Sequence, residues 1–159
     1  MLTTLDLLRH GEARALAAGG DAARALSPHG ELMVDRLGAH LATLGWRPAR
    51  VFRSPLLRAE QTASRVLGAA GIALEPEVLA ELATAGGPDE LLAALEPHTI
   101  TGAHVLLVGH QPLLGDVAGW CCGGAPVPLT PAQLVRVTFD GPPARGSGTL
   151  RLAFRPDRL

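Results

Sequence analysis

Three short clusters carry side chains that could do chemistry together. Arg9, His10, Gly11 and Glu12 follow an apolar run that ends at Leu8. Arg53 and Ser54, with Arg58 close behind, follow a second run, and Gly109, His110 and Gln111 follow a third. Two histidines and at least two permanently charged guanidinium groups suit an anion with several oxygens, and the planar arginine forks match phosphate geometry. A neutral imidazole is also a competent nucleophile towards phosphorus and can be held neutral near pH 7. The chemistry these residue types point to is phosphoryl transfer. One histidine attacks, while the other and the arginines hold the equatorial oxygens over which charge spreads. The expected intermediate is a phosphohistidine that water then hydrolyses.

That chemistry requires the clusters to meet, so the elements that carry them matter. Leu2 to Leu8 reads as a first strand. Residues 13 to 26 are rich in Ala and Gly without periodicity and read as a loop with room for a helical turn. Ser27-Pro28 pairs an N-cap with proline at the first helical position; Met33, Leu37, Leu41 and Leu44 follow at helical spacing, and Gly45 caps the C-terminus. "ARVFRSP" is a short second strand. Ser54-Pro55 repeats the cap-then-proline signal and opens a helix to about Ala70, ended by Gly71. Arg58 then lies about one turn into that helix, from where its long side chain reaches back to the strand end.

"IALEPEVL" is a short strand plus a loop, and Pro88, Asp89 and Glu90 open a helix that Pro97 stops. His104 to Val108 is a continuous apolar run of the kind buried on both faces. Gly109 and His110 turn the corner into a helix that Pro112 can start. "QLVRVTFDGPPARGSGTLRLAF" alternates on both sides of a Gly/Pro-rich turn and reads as two antiparallel strands in a terminal hairpin.

Strands alternating with helices imply an α/β fold: a three-layer α/β/α sandwich around a mainly parallel sheet with antiparallel C-terminal strands, in one domain spanning 1–159. All parallel strands of such a sheet end on one edge. The residues after Leu8, after Phe52 and after Val108 should therefore meet in one crevice, although the first and last are roughly 100 positions apart. Helix N-termini at the same edge would add unpaired N–H groups and partial positive charge, which favour an anion.

Composition narrows the partners. At 159 residues with 47% apolar residues, the chain can bury a real core. A net charge of -1, 3% aromatic residues and no Tyr argue against nucleic-acid binding. No signal-peptide pattern is visible and no apolar run approaches the roughly 18 residues of a membrane helix, so a cytoplasmic protein is expected, with no membrane partner. Cys121 and Cys122 are adjacent, read as small buried residues, and fit a reducing compartment. His29, His40, His98 and His104 read as incidental. No cluster has metal-ligand spacing, no dinucleotide fingerprint opens the first helix and no P-loop is present.

At this point the motifs match a known pattern. "LLRHGEA" resembles the Arg-His-Gly signature of the histidine phosphatase superfamily, the phosphoglycerate mutase-like group; "SPLLRAEQTA" and "VLLVGHQPLLGDVAGW" resemble its second and third blocks. The resemblance spans nearly the whole chain. Within the superfamily the short length and the wording of these blocks are most similar to the small SixA-type phosphohistidine phosphatases. This likeness implies that His10 is the nucleophile and that Arg9, Arg58 and His110 form the phosphate pocket around it. It also implies that Glu81, in "VLAEL", is the general acid, with Glu12 and Asp21 as the other carboxylates to consider. Gly11 and Glu12, beside the nucleophile, are expected to line the phosphate site, Gly11 by letting the backbone approach closely.

The substrate implied is a phosphorylated protein carrying phosphohistidine, such as the phosphotransfer domain of a signalling relay. Phosphate or sulfate would occupy the same pocket, and no metal or organic cofactor is implied. The alternatives are a small-molecule phosphomonoester phosphatase or mutase of the same superfamily, and a non-catalytic phosphate or phosphoprotein-binding module. A chain this short has little room for the lid that shields a mutase's intermediate from water. A pure binder has no need of Arg9, His10, Arg58 and His110 together.

Overall fold

A computed structural model describes every residue from Met1 to Leu159. Six strands form: β1 (Leu2–Arg9), β2 (Arg50–Arg53), β3 (Glu77–Val78), β4 (His104–Gly109), β5 (Leu134–Asp140) and β6 (Gly148–Phe154). Five helices alternate with them: α1 (Pro28–Thr43), α2 (Leu57–Ala69), α3 (Glu81–Thr84), α4 (Pro88–Leu95) and α5 (Leu113–Cys121). The strands pair in the order β3-β2-β4-β1-β5-β6. The first four in that order are parallel, while β5 runs antiparallel to β1 and β6 antiparallel to β5. The mixed α/β sandwich expected from the sequence is the fold observed. No helix is long and apolar enough to cross a membrane.

Two-residue periodicity divides the core between the faces of the sheet. Leu5 and Leu7 of β1, with Val105 and Leu107 of β4, pack on Leu82, Leu91, Leu114 and Val117 from α3, α4 and α5. Leu8, Leu106 and Val108 point the other way, onto Val34, Leu37 and Leu41 of α1 and Ala59, Ala63 and Val66 of α2. The neighbouring strands β1 and β4 thus hand the chain to helices on opposite faces. Their C-terminal ends diverge there, and a crevice opens at this switch point.

Asp6 is an acid inside an apolar strand, fully buried. Its carboxylate accepts from Arg136 Nε at 2.7 Å and Nη2 at 2.9 Å and from Trp46 Nε1 at 2.7 Å, and it pairs with His104 Nε2 at 2.6 Å. Burial alone would raise its pKa. The hydrogen bonds from Arg136, His104 and Trp46, with the charge of His104, outweigh that and hold it below its ordinary value. This hub ties β1 to both of its neighbours, and it absorbs His104.

Two local expectations need correction. In α1 the buried face is Gly30, Val34, Leu37, Gly38 and Leu41, while Leu44 lies beyond the last turn and is exposed. Gly38 sets that face: a Cβ there would lie 2.6 Å from Val66 O and 2.7 Å from Ala69 Cβ, so α1 and α2 approach closely only because it is glycine. Ser27 does cap α1, accepting the Gly30 N–H at 3.0 Å. Ser54, however, does not cap α2. That helix starts at Leu57, because the Ser54 hydroxyl is engaged at the strand end, and Arg58 is therefore its second residue rather than a full turn in.

Candidate active site

The backbone at the end of β1 is held from both sides. The His10 N–H donates to Gly109 O at 3.0 Å, and the Arg9 N–H donates to Gln133 O at 3.1 Å. From the loop before β5, the Ala132 N–H reaches both Arg9 O and His10 O, at 3.1 Å each. Ala132 has φ +60°, in the left-handed region that costs a residue with a Cβ about 1–2 kcal/mol. This strain maintains a bond that fixes the two residues with most chemical potential.

His10 projects into a cleft of about 560 Å³ whose walls include Arg9, Glu12, Asp21, Arg24, Arg58 and His110. Its Nδ1 lies 2.7 Å from Gly11 O. A carbonyl can only accept, so Nδ1 carries the proton and Nε2 is left with its lone pair and no protein partner. The His10 and His110 rings are 5.1 Å apart, centroid to centroid, and tilted by 59°. On the far side His110 Nε2 lies 2.7 Å from Ser54 Oγ.

The electrostatics suit neutral rings and an anion. Burial pushes His10 down to about 4, helped by the charges of His110, Arg58 and Arg9 and opposed by the bond to Gly11. Burial, then the charges of Arg58 and Arg9, also bring His110 to about 4, with Asp21 opposing. Arg9 donates through Nη1 to Leu129 O at 2.8 Å, and Arg58 through Nη1 to Asp21 O at 2.9 Å. The Nε atoms of both arginines are buried with no partner. Each guanidinium carries five N–H donors, more than its protein acceptors use, and both arginines line the cleft, where an oxyanion would take the remainder.

Arg9, His10, Arg58 and His110 are thus brought together, as is Glu12, whose Oε1 accepts the Ser27 hydroxyl at 2.8 Å. Gly11 is a correction. Its N–H donates to Thr62 Oγ1 at 3.1 Å, and a Cβ there would meet Val34 Cγ2 at 2.9 Å, so its small size serves the packing of α1 rather than the approach of phosphate. Glu81 starts α3 but does not line the cleft, where Ala83 of the same helix stands. Asp21 is bound to Arg24 and Arg58. The Arg24 hydrogen bond and the Arg58 charge hold its carboxyl below the ordinary range, so near neutrality it has no proton to give.

The sequence reasoning passed over Arg24, Thr62 and Ala132. Arg24 sits in the aperiodic loop, with a short 3-10 turn at Asp21–Ala23, and no local pattern marks it. Thr62 could only be found by knowing that α2 passes beneath Gly11. No group of three or more His, Cys, Asp or Glu side chains is gathered where it could hold a metal ion. Cys121 is buried, and that burial pushes its thiol up to about 12, which leaves it unreactive.

Comparison with known proteins finds relatives over most of the chain. The sequence profile of the histidine phosphatase superfamily (branch 1) matches residues 5–85. The chain is 35% identical to the phosphohistidine phosphatase SixA of Escherichia coli, over 96% of this chain and 94% of that one. It is 39% identical to an uncharacterised protein of Picosynechococcus, over 72% of this chain and 70% of the other. Among solved structures, the protein histidine phosphatase SixA complexed with tungstate superposes with a TM-score of 0.84 at 31% identity, covering 98% of each chain.

Proposed function

This chain belongs to the histidine phosphatase superfamily, branch 1, and from that premise we propose that it hydrolyses phosphohistidine on a protein through a phosphorylated His10. The observation that carries the reading is the pairing inside one cleft of a neutral imidazole whose Nε2 is bare with two arginines that have more N–H donors than protein acceptors. The tungstate held by the SixA relative, a tetrahedral oxyanion, supports the same reading.

In the first step the His10 Nε2 lone pair forms a bond to phosphorus as the P–N bond of the substrate breaks. The departing imidazole, already protonated on its other ring nitrogen, keeps the electron pair of that bond and leaves as a neutral ring. In the second step water attacks the phosphorylated His10, inorganic phosphate leaves, and the ring returns to its neutral state. Arg9 and Arg58, with Arg24 at the rim and His110 opposite, hold the oxygens before charge spreads over them, so little reorganisation is required. Imidazole is a better leaving group than an alcohol, since a ring with a pKa of roughly 6.5 can already be protonated near neutrality. That suits a cleft in which Asp21 is ionised and Glu81 stands outside the walls.

The test is phosphate release from a phosphorylated histidine phosphotransfer domain with EDTA present, wild type beside His10→Ala. Release by the wild type and none by the variant is expected. An inactive wild type, or equal rates, overturns the reading. Hydrolysis of sugar phosphates but not of the phosphoprotein would instead make this a small-molecule phosphatase.

A further inference from the structure

We propose that Ser54 is a positioning residue for this site: its hydroxyl holds His110 in the tautomer that carries the proton on Nδ1, so that an N–H rather than a bare nitrogen meets the phosphoryl oxygens. The inference deepens the phosphatase reading and rests on it for its purpose. The tautomer itself follows from hydrogen-bond accounting.

Ser54 is completely buried, so its hydroxyl has no water to turn to. Two groups contact its oxygen: the Leu56 N–H, which donates at 3.2 Å, and His110 Nε2 at 2.7 Å. The Leu56 N–H is a donor and cannot receive the serine proton. His110 Nε2 is the sole acceptor within reach. Were Nε2 protonated, two donors would converge on Ser54 Oγ and the O–H would be buried with no acceptor, a loss that mutational series show to be substantial. The serine therefore donates, Nε2 accepts, and the neutral ring keeps its proton on Nδ1. That nitrogen has no protein partner and belongs to a ring lining the cleft.

The two histidines are thereby set to opposite tasks. At His10 the Gly11 carbonyl fixes the proton on Nδ1 and leaves Nε2 as an electron pair. At His110 the Ser54 hydroxyl occupies Nε2 and leaves Nδ1 as a donor. Both rings are 5.1 Å apart and carry no charge near pH 7, yet one supplies a lone pair for phosphorus and the other an N–H for oxygen. The other tautomer of His110 would aim a lone pair at an anionic oxygen. Ser54-Pro55, which looks like a helix cap in the sequence, is part of this arrangement.

The experiment is long-range 1H–15N NMR on the protein with 15N-labelled histidine at pH 7, without ligand, His110 being assigned by its loss in His110→Asn. A protonated Nδ1 with a bare Nε2 is expected; the reverse pattern overturns the proposal. Ser54→Ala should then give a mixture of tautomers and weaken binding of inorganic phosphate by roughly tenfold. Ser54→Thr, which keeps the hydroxyl, should retain the wild-type pattern. A Ser54→Ala protein that keeps pure Nδ1–H also overturns it. None of these readings depends on which phosphorylated molecule is the substrate, so a negative phosphoprotein assay leaves them standing.

Discussion

Titrating the protein from pH 8 to pH 4 tests whether His10 is held ready as a neutral nucleophile. An ordinary histidine gains its proton around 6.5, whereas burial and the charges of His110, Arg58 and Arg9 bring His10 to about 4, even against the Gly11 hydrogen bond. That fall corresponds to roughly 3 kcal/mol favouring the neutral ring, an upper figure because one edge of the ring meets solvent and is screened. At pH 5.5 a ring titrating at 4 is about 97% neutral and an unperturbed one about 9%, so about a tenfold difference in available nucleophile separates the two cases. The assay is an NMR titration of labelled histidines in a buffer free of phosphate, whose negative charge would raise both rings, with His10→Asn identifying the resonance. A His10 midpoint at or above about 6 would refute the reasoning, since the cleft would then not exclude the charged form. Stability carries the same signature. The folded-state value lies below the unfolded one, so the contribution is complete above pH 6.5 and is lost as pH falls from 6.5 to about 4. Thermal denaturation should follow that window, less steeply in His10→Asn.

Arg58→Lys keeps the charge but loses the fork whose Nε is unpartnered, and should reduce kcat/KM by roughly 100-fold while weakening inorganic phosphate in calorimetry. Glu81 stands outside the cleft walls, so Glu81→Gln should leave hydrolysis of both a phosphohistidine protein and an aryl phosphate within about twofold of wild type; a large loss on the aryl phosphate, whose leaving group has more need of an acid, would sink that expectation. Gly11→Ala presses a methyl to 2.9 Å from Val34 Cγ2 and should destabilise the fold by about 1–3 kcal/mol in urea denaturation. An unchanged midpoint would mean that α1 can shift freely.

The order of strands and helices, and the meeting of Arg9, His10, Arg58 and His110 at one edge, could be read from the chain itself. Hydrophobic period, Pro at helix starts and Gly at helix ends are local signals, and parallel strands necessarily end on the same side. What those residues do to one another could not be read. Ser54-Pro55 carries the signature of a cap, and only the arrival of His110, from 56 positions away, turns its hydroxyl to another purpose. Gly11 looked like room for a ligand, and only the passage of α1 shows that it is room for a helix. Asp21 and Arg24 lie in a loop without periodicity, tied at the cleft by Arg58, 37 positions on from Asp21, and Ala132 reaches back to Arg9 and His10 from the loop before β5, a strand paired antiparallel to β1. Sequence pattern records the preferences of a residue among its near neighbours. Tautomers, depressed pKa values and unpaired guanidinium nitrogens depend on distant groups packed within a few ångströms and shielded from water, and only the tertiary fold sets those distances.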